Sequence, residues 1–184
     1  MSQVPPAPWS GIIDNYYRAA FDDALIWSSA VAVPKQVFAE VGGFPVGIRL
    51  GEDLDMWLRI ALRYPIAYCN SSLAIYDQAA SNRAMQQNHC NDNLVMAQTA
   101  ADALAQGLVP ADQEDDLREY VYMYQILTAF ECAKAGNLEL ARATLAECSG
   151  TTRFRNRWRW WRLWTAMPKP IFDFAWRAKR SVVR

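Results

Sequence analysis

Three acidic residues stand together where a glycine-bearing loop gives way to a helical pattern. Glu52, Asp53 and Asp55 follow Gly51. The apolar residues around and after them recur at helical spacing: Leu54, Trp57, Leu58 and Ala61. The carboxylates therefore lie in a first helical turn, where unpaired N–H groups and the helix dipole keep them ionised. Such a carboxylate suits a general base that takes a proton from a hydroxyl. Helix capping, which contributes roughly 1 kcal/mol, explains the same pattern without chemistry.

A strand, a helix and a loop are predicted to lead to this acidic helix. Residues 27–33 form a short apolar run that ends at Pro34, which predicts a buried strand. Pro34 then begins a helix that Gly42 and Gly43 end. The loop 44–51 follows, and loops on a rigid scaffold are where binding groups collect.

Shorter elements flank this part of the chain. Residues 1–10 are rich in proline and are predicted to be irregular. Residues 14–21 predict a short helix capped by Asn15 or the residue before it. Residues 66–68 and 73–76 predict two short strands around a turn.

Several pieces of the sequence are specific when their order and spacing are taken together: Trp27-Ser28-Ser29-Ala30-Val31, Pro34 to Phe44, Gly51 to Arg59, and Tyr64-Pro65. With them, residues 11–83 resemble the second half of a family 2 glycosyltransferase catalytic domain, which has the GT-A fold. The resemblance implies an inverting enzyme that transfers a sugar from a nucleotide-sugar to an acceptor hydroxyl. The catalytic base of the family is the Asp of a Glu-Asp pair, which corresponds to Asp53.

The resemblance also implies substrate-binding roles for seven residues: Glu52, Asp55, Ser28, Ser29, Gly43, Phe44 and Arg83. Glu52 and Asp55 would orient the base or the acceptor. The two serines and the loop at Gly43 would border the acceptor groove. Arg83 would approach the donor diphosphate through charge-assisted hydrogen bonds. A solvated arginine on the surface, without a ligand, is the alternative interpretation of the same residue.

The donor-binding half of the family is not recognisable in this sequence. That half holds the nucleotide-binding βαβ units and an Asp-x-Asp motif that grips a divalent Mg or Mn ion. Asp53-Leu54-Asp55 matches the Asp-x-Asp pattern but lies inside the acidic helix. An alanine stands at the position where many relatives carry a metal-binding histidine. We therefore expect a metal only together with the missing half, and none bound by this chain alone. The 27–33 strand would also lack sheet partners and expose an edge.

Residues 85–148 predict three helices, over 85–106, 112–135 and 138–148. Residues 129–142 resemble one tetratricopeptide-like helical hairpin. Stacked repeats need neighbours for stability, so we interpret the single copy as a helical appendage.

Residues 153–184 combine positive charge with tryptophan. They carry ten Lys and Arg against one acid, whereas residues 1–152 carry nine against eighteen. On a helical wheel Phe154, Trp158 and Trp161 cluster. Arg155, Arg159 and Arg162 lie on another face, whereas Arg153 and Arg157 interleave with the aromatics. Three interpretations remain: attachment to an anionic membrane surface, docking on the protein's own helices, and nucleic-acid binding. No nucleic-acid motif accompanies the pattern, so we expect no nucleic-acid partner.

The four cysteines, Cys69, Cys90, Cys132 and Cys148, have no metal-binding spacing and are predicted to be reduced thiols of a cytosolic protein. No apolar run of about 18 residues occurs, and the first residues do not have the pattern of a signal peptide. We expect a cytoplasmic protein, peripheral to the inner face of the cytoplasmic membrane.

Together these observations predict an α/β fold, partly GT-A-like and corresponding to the acceptor half, followed by an all-α C-terminal extension. The predicted segments are 1–84, 85–150 and a basic Trp-rich tail at 151–184. The predicted function is that of a fragment of an inverting hexosyltransferase of cell-surface polysaccharide or glycolipid synthesis, inactive without the missing half. Its partners would be a nucleotide-sugar, a glycan or lipid-linked acceptor, and an anionic membrane surface. The alternative is a non-enzymatic membrane-surface adaptor.

Overall fold

A computed structural model describes residues 4–22, 25–48, 50–72, 74–75, 77, 90 and 94–182. Within them the chain has mixed α and β content, with one small sheet and a helical C-terminal part. It divides into two units. Unit 1 comprises residues 1–87 and 94–121, and unit 2 comprises residues 88–93 and 122–184. The three segments drawn from the sequence stay a prediction.

The sheet of unit 1 has two antiparallel strands, β1 (Trp9–Ile13) and β2 (Ile66–Asn70). Trp9 faces Asn70, and Ile13 faces Ile66. The predicted strand at 66–68 is confirmed and extends by two residues. The expectation that residues 1–10 are irregular is wrong at positions 9 and 10, because β2 supplies backbone partners that lie far away in sequence. The predicted strand 73–76 lies partly outside the described residues.

The helices that begin in unit 1 are α1 (Tyr16–Ala19), α2 (Lys35–Val41), α3 (Glu52–Ala61), α4 (Val95–Ala105) and α5 (Glu114–Lys134). Each matches a predicted helix. Asn15 caps α1, its side-chain Oδ1 accepting from the N–H of Arg18 at 3.0 Å. The predicted start of the α4 helix at Met85 lies outside the described residues.

The predicted buried strand at 27–33 is wrong. Ser28–Ala30 form a single 3-10 turn, and Trp27 and Val31 on either side have extended backbone. Residues 27–32 are all exposed. The extended conformation that the sequence favours is therefore present, but within the described part of the chain β1 and β2 pair only with each other.

The core of unit 1 is built by the inner face of α3 and by aromatic side chains of α1 and α5. Met56 and Leu58 of α3 are fully buried. Tyr16 and Tyr120 pack edge to face with ring centroids 5.7 Å apart, and their hydroxyls lie 3.3 Å from each other.

Unit 2 contains the second part of α5 together with α6 (Leu138–Glu147), α7 (Arg155–Ala166) and α8 (Lys169–Val182). Asn137 caps α6, its side chain accepting from the N–H of Leu140 at 3.1 Å. Leu145 and Phe172 are buried in the core of the unit. The predicted helices at 112–135 and 138–148 are confirmed.

A disulfide joins Cys90 to Cys132 on α5, at a sequence separation of 42 and with 4.5 Å between their Cα atoms. The prediction that all four cysteines are reduced is therefore wrong for this pair, while Cys69 and Cys148 are free thiols. Spacing alone does not reveal the pairing, because only the fold brings the two segments together. Disulfides persist in oxidising compartments, so the cysteines do not support a cytosolic location.

Candidate functional site

The acidic helix α3 begins at a glycine whose backbone conformation is easily adopted only by a residue without a side chain. Gly51 is the N-cap, with φ of +84° in the left-handed region. No side chain caps the helix at this residue. Glu52, Asp53 and Asp55 occupy the first turn as predicted, where the positive end of the helix dipole favours negative charge.

Asp53 lies at the edge of the core, half-buried. Its Oδ1 accepts a hydrogen bond from the N–H of Leu54 at 2.8 Å. Its Oδ2 lies 3.4 Å from the hydroxyl of Ser28, which donates to it. A carboxylate has about four acceptor positions, so these two contacts leave it capacity to accept from another hydroxyl.

Asp55 faces the opposite way, into the core, where it is 3% exposed. Its Oδ2 accepts from Nε of Arg59 at 2.8 Å, and its Oδ1 accepts from the hydroxyl of Thr99 on α4 at 2.5 Å. The role in orienting an acceptor that the resemblance gave to Asp55 does not fit this geometry, because both oxygens are bonded inside the protein. Asp55 instead positions Arg59.

Arg59 joins α3 to the end of α2, and we call Asp55 and Arg59 together the arginine clamp. The guanidinium donates to the carbonyl oxygens of Val41, Gly42 at 3.2 Å and Gly43 at 2.8 Å. These carbonyls lie at the C-terminal end of α2, where a cation is favourable. The clamp was not predicted, although the i,i+4 spacing of an acid and an arginine on one helix was a signal that could have found it.

The glycine loop that the clamp holds also packs on α3 through an aromatic contact. Phe44 meets the ring of Trp57 edge to face, with centroids 6.1 Å apart, and nearly half of its surface stays exposed. Gly42 has φ of +82°, and no heavy atom lies within 4 Å of where a Cβ on Gly43 would be. Open space therefore borders the loop at Gly43, as an acceptor groove would require.

The predicted site residues are brought together in part. Ser28 lies beside Asp53, and Gly43 and Phe44 are tied to α3 through Arg59 and Trp57. Ser29 is exposed on the 3-10 turn and Glu52 is half-buried. Arg83 lies outside the described residues.

A metal does not fit the Asp53-Leu54-Asp55 sequence. The two carboxylates point to different surroundings, and Asp55 is already paired with Arg59. Within the described ranges, no three His, Cys, Asp or Glu side chains lie close enough to hold a metal ion.

A separate cleft of about 370 Å³ lies in unit 1, beside β1 and α1. It is lined by Pro5, Trp9, Ile12, Ile13, Asp14, Asn15, Arg18, Ala19, Asp112 and Gln113. Asp53 is not among these residues. On the rim, Arg18 pairs with Asp116 at 2.6 Å, and this carboxylate raises the pKa of the Arg18 guanidinium. The sequence analysis did not foresee this cleft.

Four of the five tryptophans of the C-terminal part pack against the core of unit 2: Trp158, Trp161, Trp164 and Trp176. Trp158 Nε1 donates to the carbonyl of Leu145 at 2.7 Å, and the ring of Trp161 lies 4.6 Å from that of Phe130. Trp176 stacks on the buried ring of Phe172. These aromatics thus dock on the protein's own helices, and membrane attachment through residues 153–184 stays a prediction. In the part of the chain that the structure describes, no helix has the length and apolar character needed to cross a bilayer.

Comparison with known proteins assigns no family to this chain. No protein-family model, no curated protein and no solved structure matches the chain.

Proposed function

We propose that this chain supplies the acceptor side of an inverting glycosyltransferase, with Asp53 as the catalytic base. One observation carries the proposal: the Asp53 carboxylate is held at the start of α3, half-buried, with the Ser28 hydroxyl 3.4 Å from its Oδ2. The side chain is half-buried and takes part in no ion pair among the described residues. It can therefore receive a second hydroxyl.

The helix start explains why Asp53 suits this task. Unpaired N–H groups in the first turn and the dipole of α3 stabilise the charged carboxylate. Ser28 on the 3-10 turn at 28–30 is the side chain that donates to its Oδ2. An acceptor hydroxyl that replaced or joined the long contact with Ser28 would lie within the reach of a general base.

The arginine clamp supports the proposal by holding the neighbouring loop. Arg59 bonds the carbonyls at the end of α2, and Phe44 packs on Trp57. The loop that would border the acceptor is thus fixed to the helix that carries the base. Preorganisation of this kind lets a catalytic group act without rearrangement at the moment of reaction.

In the proposed reaction, Asp53 takes the proton of the acceptor hydroxyl as its oxygen attacks the anomeric carbon of the donor sugar. The bond from that carbon to the diphosphate oxygen breaks, its electron pair leaves with the nucleoside diphosphate, and the configuration inverts. Ser28 and Ser29 would contact the acceptor, Glu52 would orient it, and Arg83 would approach the diphosphate. A divalent Mg or Mn ion, when bound by the donor half, supplies charge neutralisation there.

The proposal includes the chemistry of the partners and the location. The donor would be a nucleotide-sugar and the acceptor a glycan or a lipid-linked glycan. The place expected from the sequence is the inner face of the cytoplasmic membrane, and the Cys90–Cys132 disulfide argues against it. The Cys90–Cys132 pair makes the location testable, because a disulfide persists in oxidising compartments. Free thiols at both positions in protein trapped with alkylating reagent in cells would support the cytoplasmic side, and a disulfide would contradict it.

A transfer assay with a panel of labelled nucleotide-sugars tests the proposal. We expect no transfer by the 184-residue chain alone and transfer by a polypeptide that adds a donor-binding Asp-x-Asp half, encoded in frame upstream or supplied in trans. Robust turnover by the chain alone would refute its dependence on such a half. No transfer in any setting, and no shift of the Ser28 and Gly43 amide resonances on adding glycans, would contradict an acceptor site.

A non-enzymatic membrane-surface adaptor is the second candidate, and one observation favours it. Helices α7 and α8 present exposed apolar side chains beside arginines, and the transfer reaction uses none of them. An in-frame stop and a ribosome-binding site directly before Met1 in the gene would favour the adaptor over the enzyme.

A further inference from the structure

Two helices of unit 2 expose apolar side chains that take no part in its core. Trp160 and Leu163 of α7 are 51% and 68% exposed, and Ile171 and Phe174 of α8 are 54% and 76% exposed. We call these four the outer apolar set. On α7, helical spacing places Trp160 and Leu163 opposite the buried Thr165. They lie in the tail 153–184 for which the sequence predicted membrane contact, but outside its cluster of Phe154, Trp158 and Trp161.

Arginines lie beside this set. Helix α7 carries four arginines and no acid, and Arg155, Arg159 and Arg162 are exposed. Among the described residues none of these three forms an ion pair. Arg162 lies over the ring of Trp158 at 4.8 Å. The outward side of α7 is therefore cationic as well as apolar.

We propose that the outer apolar set and its neighbouring arginines bind the surface of an anionic lipid bilayer. Tryptophan favours the level of the headgroups, apolar tips such as those of Leu163 and Phe174 enter the edge of the acyl region, and arginines meet anionic lipid phosphates. The inward tryptophans pack on the core of unit 2, so that on each helix the outer side chains face away from that core.

The chemistry of the face distinguishes a bilayer from other anionic partners. Single-stranded nucleic acid binds by stacking bases on aromatic rings; Trp160 and Phe174 offer such rings, but Leu163 and Ile171 would add nothing to that binding. An acidic protein surface would complement the charge of the arginines but would offer no apolar environment to the exposed apolar side chains. A bilayer satisfies both features at once, and its binding is independent of any transferase activity.

Vesicle cosedimentation of the full 184-residue chain tests the proposal. The probes are vesicles of phosphatidylcholine alone and of phosphatidylcholine mixed with phosphatidylserine. We expect binding only to the anionic vesicles, weakened by salt. Arg155→Gln with Arg159→Gln should lower the partition coefficient by about 30-fold, from roughly 5-fold for each basic residue. Leu163→Ser with Phe174→Ser should lower it by about 10-fold or more.

Matched controls lie on unit 1. Val46→Ser with Ile75→Ser removes two exposed apolar side chains, and Lys35→Gln with Arg63→Gln removes two exposed positive charges. Both should leave binding unchanged, and circular dichroism should show that every variant is folded.

Three outcomes would overturn the proposal. The first is failure of the wild-type chain to bind anionic vesicles at low salt. The second is equal weakening by the unit 1 controls. The third is unchanged vesicle binding in the Leu163→Ser and Phe174→Ser variant together with equal affinity for polyglutamate or single-stranded DNA, because that result would show a surface that recognises charge alone.

Discussion

Replacing Arg59 by methionine tests how the protein holds the loop beside Asp53. The Arg59 guanidinium bonds Asp55 at 2.8 Å and the carbonyls of Gly42 and Gly43 at 3.2 and 2.8 Å. Methionine keeps much of the apolar stem but donates no hydrogen bond. The variant would therefore leave Asp55 without its cation and the end of α2 without its donor.

The size of the effect follows from burial. The Asp55 side chain is 4% exposed and that of Arg59 is 20% exposed. Removing one partner of a buried ion pair lowers stability by about 3–5 kcal/mol. We expect the lower end, about 3 kcal/mol, because Thr99 still donates to Asp55. For a chain of this length each kcal/mol shifts Tm by about 2–4 °C, so the Tm of unit 1 should fall by about 6–12 °C.

Thermal unfolding followed by circular dichroism measures this shift. The matched control is Arg63→Met, because Arg63 is exposed and donates only to the Glu40 carbonyl among the described contacts. It should change Tm by about 2 °C or less. A double-mutant cycle with Asp55→Asn should show strong coupling between positions 55 and 59. An Arg59→Met chain that melts like the wild type, or additive effects in the cycle, would refute the clamp.

Three further results are expected from buried and exposed groups elsewhere. Burial raises the pKa of Tyr17 to about 12 from 10.0. The unfolded chain therefore loses this proton first, so the free energy of unfolding should be full below pH 10 and fall by about 2–3 kcal/mol as pH rises towards 12. Denaturant midpoints measured along an alkaline titration should fall less in Tyr17→Phe, and an equal fall in that variant would contradict the prediction. Neighbouring serine hydroxyls lower the pKa of the exposed Cys69 thiol, whereas burial raises the pKa of Cys148 to about 12. A disulfide-exchange reagent should therefore modify Cys69 quickly and Cys148 only after unfolding. Fast labelling that persists in the Cys69→Ser variant would count against this. Replacing Cys90 by serine opens the link to Cys132 and should lower stability by about 4 kcal/mol by chain entropy, and an unchanged denaturant midpoint would show that the link adds nothing.

The sequence predicted the helices well because their signals are local. Asn15 caps α1, Pro34 precedes α2, and Gly51 begins α3, each through the conformation of one residue or the next few. The acidic first turn of α3 was predicted for the same reason. These signals require no knowledge of distant parts of the chain.

The features that the sequence did not reveal depend on distant partners. The pairing of β1 with β2 joins Trp9 to Asn70, and Thr99 reaches Asp55 from another helix. Residues 27–33 have the propensity of a strand, yet propensity does not supply a neighbouring strand. The helical wheel separated the aromatics of α7 from most of its arginines but did not show that Trp158 and Trp161 turn inward and leave Trp160 outside.

The sequence predicted which residues belong to the candidate site better than it predicted how their side chains are arranged. Asp53 and Ser28 lie together as the resemblance implied. Asp55 has the same residue type and the same helix turn as Asp53, but one face of α3 is buried and the other is not. Two positions along a helix turn a side chain by about 200°, which places one carboxylate at the surface and the other in the core.

The most direct test of the central claim is the turnover number of Asp53→Asn in the transferase setting that includes a donor-binding half. Asparagine keeps the size of the side chain and its contact with Ser28 but does not take a proton. We expect turnover to fall by at least about 10²–10⁴-fold, with Tm unchanged and with Glu52→Gln retaining most of the rate. Turnover of Asp53→Asn close to that of the wild-type enzyme would show that Asp53 is not the base.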